Sequence, residues 1–493
     1  PPRRELMAHA QTPTFPLTYT DLPALFHHGA ALDPVANPSW VLRNEALAET
    51  LGLDIAWLRS DDALQALAGN RPLPGARPVA MAYSGHQFGG FSPLLGDGRA
   101  QLAGEWLAPD GTRYDLHLKG SGPTPFARNG DGRATLSAML REYIVSEAFA
   151  GLGIPTTRAL AVVATGEAVH RQRKEPGAVL TRIARSHVRV GTFQLAAVNR
   201  DAEAIEALLS HELARNFPAP PPGLAPARHF LRSVIARQAK LIAQWMCVGF
   251  IHGVMNTDNM QVAGETIDFG PCAFMDRFHP QKVFSSIDRS GRYAWDKQPT
   301  IAAWNLARLA ECLLSLLADD QDKAVAIARE ELALFMPAFE QHFEEGMRAK
   351  LGWRGADAGD GERIATVFRH MMQGNADFTL FFRRLTQVAA GAEDAVMSPL
   401  FATADDAAAT LADWRQRAGA APDVDAMRRS NPVYTARNHR VEEALAAASA
   451  GDLAPTQRLL QVLAAPFAEQ PGSADLEDPP SADEEVRQTF CGT

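Results

Sequence analysis

Alternation of apolar and polar residues with period two marks a half-buried strand. Residues 100–108 (AQLAGEWLA) and 114–119 carry that pattern, and 161–170 (AVVATGEAVH) and 177–184 (GAVLTRIA) read as two further strands. Between them, 134–154 places Leu136, Leu140, Ile144 and Phe149 at helical spacing, with Gly151 and Gly153 as the stop. The strongest breaker is FPAPPPGLAPAR at 217–228. Beyond it the pattern is helical through 229–349, as in FLRSVIARQAKLIAQWMCVGF and WNLARLAECLLSLLA, and helical segments continue to about 465. A short strand pair interrupts the helices: Met260, Gln261 and Val262, a turn at Gly264, then Thr266 and Ile267. The first 79 residues are short pieces broken by proline. From Pro466 seven acids stand against one arginine, the composition of a flexible tail.

The expected class is α+β. The order is a glycine-rich, strand-bearing half followed by a helical half, as in a kinase-like two-lobed fold. That gives an N-terminal extension at 1–79, a strand-rich, nucleotide-binding N-lobe at 80–216, a helical C-lobe with the catalytic and metal loop at 217–465, and an acidic flexible tail at 466–493 that contains Cys491. No internal repeat is evident.

Composition narrows the function. Of 493 residues, 46% are apolar and 21% charged, which is the balance of a soluble globular protein. The net charge of −9 argues against nucleic-acid or anionic-membrane binding as the main role. No apolar run reaches the length of a membrane span. The first residues lack the apolar core of a signal peptide and Met7 reads as the natural start, so the expected location is cytoplasmic. Cys247, Cys272, Cys312 and Cys491 are too scattered for a disulfide scaffold or a paired-cysteine zinc site. Only seven of the 48 basic residues are lysines, and Lys119 is the first of them. It is therefore singled out in a chain that otherwise meets its charge needs with arginine.

Five glycines between Gly85 and Gly98 sit in the strings YSGHQFGG and LGDGR, where backbone N–H groups can approach phosphate oxygens. Two tight turns joining strands explain the glycines alone more simply, although Arg99 adds a cation where a phosphate needs one. Lys119 ends a strand, and Glu142 lies on the following helix. A strand lysine held by a helix glutamate aligns nucleotide phosphates in kinases, though spacing does not choose Glu142 over Glu147. The stretch IHGVMNTDNM (251–260) followed by IDFG (267–270) is more telling. A kinase loop carries a base, an Asn five residues later that binds metal, and then an Asp-Phe-Gly whose Asp binds metal. His252 opens this loop, Asn259 stands at the Asn offset and Asp268 begins Asp-Phe-Gly. The base position holds Val254, which accepts no proton, and Asp258 is the nearest carboxylate. Arg182 and Arg189 suit phosphate oxygens. They are seven apart, so a straight strand would point them to opposite faces and the chain must bend if both are to meet one ligand. His86, His117 and His252 need no catalytic role; His117 points away from Leu116 and Leu118, and His252 braces its loop. Cys247 and Cys312 sit on apolar helices as core residues.

Together these strings (81–105, 116–142, 180–194, 252–274 and 431–445) resemble the selenoprotein O family of protein adenylyltransferases, which are pseudokinases. The resemblance implies a kinase-like fold that binds ATP reversed relative to protein kinases and transfers AMP to Ser, Thr or Tyr hydroxyls of proteins (AMPylation), with Mg²⁺ or alternatively Mn²⁺. It implies ATP binding by Gly96, Gly98, Arg99, Lys119, Asp131, Gly132, Arg182, Arg189 and Asp268. Glu142 becomes the partner of Lys119, Asn259 and Asp268 the metal ligands, and Asp258 the catalytic base. It also implies a redox pair of Cys272 with Cys491, which in a cytosolic protein would be transient. Two other readings remain: a phosphotransferase that moves the γ-phosphate, and a catalytically dead nucleotide-binding scaffold. Intact Lys119, Asn259 and Asp268 argue against the second.

Overall fold

The computed structural model describes residues 13–171 and 173–490. It divides into two compact units that alternate along the chain: the first holds 1–81, Asp97–Thr135 and Ala159–Arg185, the second Ala82–Gly96, Leu136–Arg158 and Ser186–Thr493. The protein is a mixed α and β chain with a large antiparallel sheet and many helices.

The first unit is built on a seven-stranded sheet of β1 (His27–Gly29), β2 (Ser39–Arg43), β3 (Val79–Met81), β6 (Ala100–Leu107), β7 (Arg113–Lys119), β8 (Arg158–His170) and β9 (Lys174–Ala184), in the order β1-β3-β6-β7-β9-β8-β2. An Asx turn closes the β6–β7 hairpin, with the Asp110 carboxylate accepting the Thr112 N–H at 2.8 Å. Three short helices, α1 (Glu45–Thr50), α2 (Ile55–Leu58) and α3 (Asp61–Leu67), follow one another. Asn44, Asp54 and Ser60 cap their N-termini through side-chain oxygens. Leu47, Leu58 and Leu67 from these helices share one core with Leu116, Leu118, Val179 and Ile183 of the sheet. The proline-broken opening stretch thus supplies strands and half of a core.

Alternation leads one to expect half-buried strands, yet β6 and β7 are closed over on both faces. Gln101, Glu105, Asp115 and His117 are as buried as their apolar neighbours. Glu105 shows how such a residue is kept satisfied: its carboxylate accepts from the Thr18 and Tyr19 N–H groups, the Thr18 hydroxyl and Arg113. The alternation therefore separates an apolar core face from a polar face that is also buried.

The second unit contains the β4–β5 hairpin (Gly85–Gln87 and Gly90–Ser92) and the pair β10 (Phe250–Ile251) with β11 (Ala273–Phe274). Its helices include α4 (Leu136–Gly151), α5 (Val190–Val198), α6 (Ala202–Asn216), α7 (Pro226–Cys247) and α8 (Gln298–Cys312), and they continue to Ala454–Leu463. The breaker at 217–228 lies between α6 and α7, with Pro226 at the first position of α7, where its missing N–H costs nothing. The strand pair expected at 260–267 does not form. Gln261 bridges Arg189, and Thr266 bridges Thr156. Gly264 still makes its turn, donating to Gln261 O at 3.2 Å. Each half finds a partner remote in sequence, which local pattern cannot reveal, and β10–β11 flanks the motif instead. The acidic segment after Pro466, expected as a flexible tail, makes specific contacts over its described length. Leu476 is buried, Thr489 N–H donates to Phe284 O at 2.8 Å, and Ser286 N–H donates to Thr489 O at 3.0 Å. Among the described residues no helix is long and apolar enough to cross a membrane.

Candidate functional site

The turn leading into β6, which the first unit enters at Asp97, and the ends of β7 and β9 carry the phosphate-binding candidates. Antiparallel register sets His117 opposite Arg182, and Lys119, two residues on, shares their face. Buried His117 donates from Nε2 to the Asp97 carboxylate at 2.9 Å, which leaves Nδ1 to accept from Arg182 Nη2 at 3.4 Å. Asp97 is the central residue of the glycine turn between Gly96 and Gly98, so a chain of polar contacts ties that turn to the arginine. Arg99 follows directly. Asp131 accepts both terminal nitrogens of Arg171, at 2.8 and 2.9 Å, and this pairing holds its carboxyl below the usual range. Gly132, at φ +66°, presses on the Gly122–Pro123 backbone, where a Cβ would lie 2.0 Å from Pro123 N. No other residue fits there without moving the loop.

In the second unit, β9 has ended before Arg189, which precedes α5 and lies over the Tyr83 ring at 4.4 Å. The strand thus ends between Arg182 and Arg189. Val254 is buried, and its carbonyl accepts from Asn259 Nδ2 at 3.0 Å, which fixes Oδ1 as the atom Asn259 can offer to a ligand. His252 donates from Nε2 to Ile267 O at 2.8 Å and accepts from the Val254 N–H, so it does brace the loop. Burial lowers its pKa and keeps it neutral. Asp268 has φ +63°, a left-handed conformation uncommon for a residue other than glycine. Phe269 anchors it by packing against Phe149 of α4 at 5.3 Å, with Phe250 behind. Arg141, also on α4, clamps the segment by donating to Gly270 O at 2.8 Å and Cys272 O at 2.6 Å. Glu142 beside it is buried.

Asp258 is 8% exposed, and burial pushes its carboxyl up to about 6. Gln87, on the β4–β5 hairpin, donates to Oδ2 at 3.1 Å, while Oδ1 is buried without a hydrogen-bond partner. Gly85 makes room for it: a Cβ there would lie 2.7 Å from Oδ1. The hairpin is fastened to the same loop by His86 N–H to Thr257 Oγ1 (2.7 Å) and Phe88 N–H to Asn256 Oδ1 (3.1 Å). Tyr293 adds a hydroxyl bond to Asn256 Oδ1 at 2.6 Å. Asp258 thus has the features of a proton acceptor: a raised pKa and one oxygen without a proton donor.

Among the described residues no cluster of three or more His, Cys, Asp or Glu side chains is arranged to hold a metal. Asn259 and Asp268 offer an amide oxygen and a carboxylate, hard-oxygen donors of the kind that suit a cation keeping waters and substrate phosphates as its other ligands. The donor chemistry fits Mg²⁺ or Mn²⁺. Cys247, Cys272 and Cys312 are buried free thiols pushed up to about 12 by desolvation, as core cysteines are. Cys491 lies outside the described residues. Sequence reasoning missed Gln87 and Arg141. Gln87 lies in a glycine-rich string and Arg141 beside Glu142, and only the fold brings either to its partners.

Comparison with known proteins bears on this arrangement. The sequence profile of a family described as Protein adenylyltransferase SelO matches residues 13–464. A protein of Rhodopseudomonas palustris (strain BisB18) named Protein nucleotidyltransferase YdiU is 52% identical over 485 residues, covering 97% of this chain and 99% of its own. Proteins of the same name from Rhizobium etli (51% over 489 residues, 97% of each chain) and Agrobacterium fabrum (50% over 485 residues, 97% of this chain and 99% of its own) agree. The class is thereby defined: the chain is an enzyme, a nucleotidyltransferase. It belongs to the SelO family of protein adenylyltransferases.

Proposed function

We propose that the enzyme transfers AMP from ATP to Ser, Thr or Tyr hydroxyls of proteins, on a kinase-like two-lobed fold that binds ATP reversed relative to kinases. The observation that carries the reading is the state of Asp258: a buried carboxylate with a raised pKa and a bare oxygen, four residues past a kinase-base position that Val254 has vacated. Asp258 takes the proton of the acceptor hydroxyl as its oxygen attacks the α-phosphorus and pyrophosphate departs. Lys119, Arg182 and Arg189 receive the charge that gathers on the leaving group, and Glu142 orients Lys119. Gly96, Gly98, Arg99, Asp131 and Gly132 hold the nucleotide. Asn259 and Asp268 hold the divalent cation, which when bound neutralises phosphate charge.

The test is intact mass after incubation with ATP and Mg²⁺, together with transfer of α-³²P against γ-³²P to protein acceptors. A gain of AMP and of α-label in wild type, absent in Asp268→Ala, is the expected outcome. Transfer of γ-label would replace this reading with a phosphotransferase, and full activity in Asp268→Ala would remove the metal assignment.

A further inference from the structure

The β4–β5 hairpin is pinned to the Asp258 loop by three hydrogen bonds, yet its outer surface is apolar and open. Phe88 is 37% exposed, Phe91 42% and, just beyond the hairpin, Leu94 54%. Solvated hairpin tips usually carry polar residues, so aromatics here suggest a surface that is covered in use. The underlying backbone is firmly held. Phe88 N–H is shared between Asn256 Oδ1 and the Tyr293 hydroxyl, and the Phe88 ring packs edge-on against Tyr293 at 5.1 Å. His86 sits between Phe91 at 4.8 Å and Trp304 at 5.0 Å.

Cations border this surface. The Arg292 guanidinium lies 5.0 Å from the centre of the Trp304 ring and within 4 Å of where a Gly89 Cβ would stand, at the hairpin tip. Among the described residues no carboxylate comes within ion-pair distance of it. Its side-chain neighbours are the neutral Tyr293 hydroxyl and Trp304, and its Nε is buried without an acceptor. Arg308 lies over the same Trp304 ring at 4.9 Å but is paired with Glu311 at 2.6 Å. Arg289 is exposed nearby in sequence. The nearby Asp288 carboxylate accepts the backbone N–H groups of Arg292 and Tyr293 at 2.9 and 2.8 Å rather than the guanidinium, and in a chain with net charge −9 a guanidinium without an ion-pair partner among the described residues, beside exposed aromatics, is a local departure from the whole.

We infer that the outer face of the β4–β5 hairpin with Arg292 docks the acceptor protein, and that it selects a segment carrying acidic side chains next to the hydroxyl to be modified. Arg292 supplies the charge an acidic flank lacks, Phe88 and Phe91 bury the apolar part of the segment, and the pinned hairpin fixes that segment relative to Asp258. This deepens the adenylyl-transfer reading and rests on it for the identity of the segment as substrate.

Two synthetic peptides test it, each with a single Tyr flanked by Glu in one and by Lys at the same positions in the other. Binding is read by fluorescence anisotropy on the full-length enzyme, and transfer by α-³²P-ATP. Wild type should bind the Glu peptide at least roughly tenfold more tightly than the Lys peptide. Arg292→Gln should erase that preference and Arg292→Glu reverse it, with the melting temperature and the KM for ATP unchanged; Arg292→Gln decides the question if the charge reversal does not fold. Equal binding of the two peptides, or a preference that survives Arg292→Gln, overturns the docking face. A raised KM for ATP in Arg292→Gln also overturns it, by giving the guanidinium to the nucleotide. Selective binding without α-label transfer would leave the face standing and overturn the adenylyl-transfer reading.

Discussion

At the scale of single residues, the Asp258 carboxyl bears a cost that its chemistry explains. An unfolded Asp ionises near about 3.9, whereas burial holds this one at about 6. Between those values the folded state carries more protons, so its stability falls as pH rises through the window, and the full penalty stands above it. Asp258→Asn removes the charge while keeping an oxygen for Gln87. At pH 8 that variant should be more stable by up to about 3 kcal/mol, the worth of a two-unit shift, and should lose AMP transfer. The excess over wild type should vanish below about pH 4, where both states of the wild-type Asp are protonated. Denaturant unfolding across pH reads this directly; a destabilised variant at pH 8 would mean that the carboxylate is stabilising where it stands. A site residue that stabilises when removed is one retained for function.

At the scale of elements, α4 acts as a splint for the Asp-Phe-Gly segment. Arg141 grips two of its carbonyls and Phe149 packs against Phe269. Arg141→Met leaves both carbonyls without a charged donor. It should cost about 1–3 kcal/mol of stability and lower kcat more than the KM for ATP, as thermal melts and steady-state kinetics can show; unchanged kcat would make the clamp merely structural. This element also shows what pattern could and could not reveal. The helix at 134–154 and its glycine stop were legible because helical spacing is local, and β6, β7, β8 and β9 were legible from alternation and composition. The burial of both sheet faces was not, because burial of His117 depends on Asp97 and Arg182, which lie twenty and sixty-five residues away. The false strand pair at 260–267 failed for the same reason. Asn259, Asp258 and Asp268 stood out because their spacing belongs to one loop, while Gln87 meets that loop only through folding.

At the scale of the whole molecule, the order of strands and helices was visible in the sequence, but the alternation of the two units along it was not. The contacts of the last described residues matter here as well. Thr489 donates its hydroxyl to Pro271 O at 2.5 Å, one residue before Cys272 and two before Cys491. We propose the redox pair that the family resemblance implies: although Cys272 is buried, mild thiol oxidation should yield a Cys272–Cys491 peptide in non-reducing mass spectrometry. Its absence would count against the pair. The alternation of the units has a further consequence for synthesis. Most of α4 is buried in the folded protein, and Arg141 joins it to Glu442 of the helix Asn438–Ser449 at 3.1 Å. That helix leaves the ribosome nearly three hundred residues later, roughly 15–60 s at synthesis rates of about 5–20 residues per second. Until that helix emerges, the face of α4 that it covers stands exposed on the nascent chain, which makes the growing polypeptide a client for chaperones that shield hydrophobic segments.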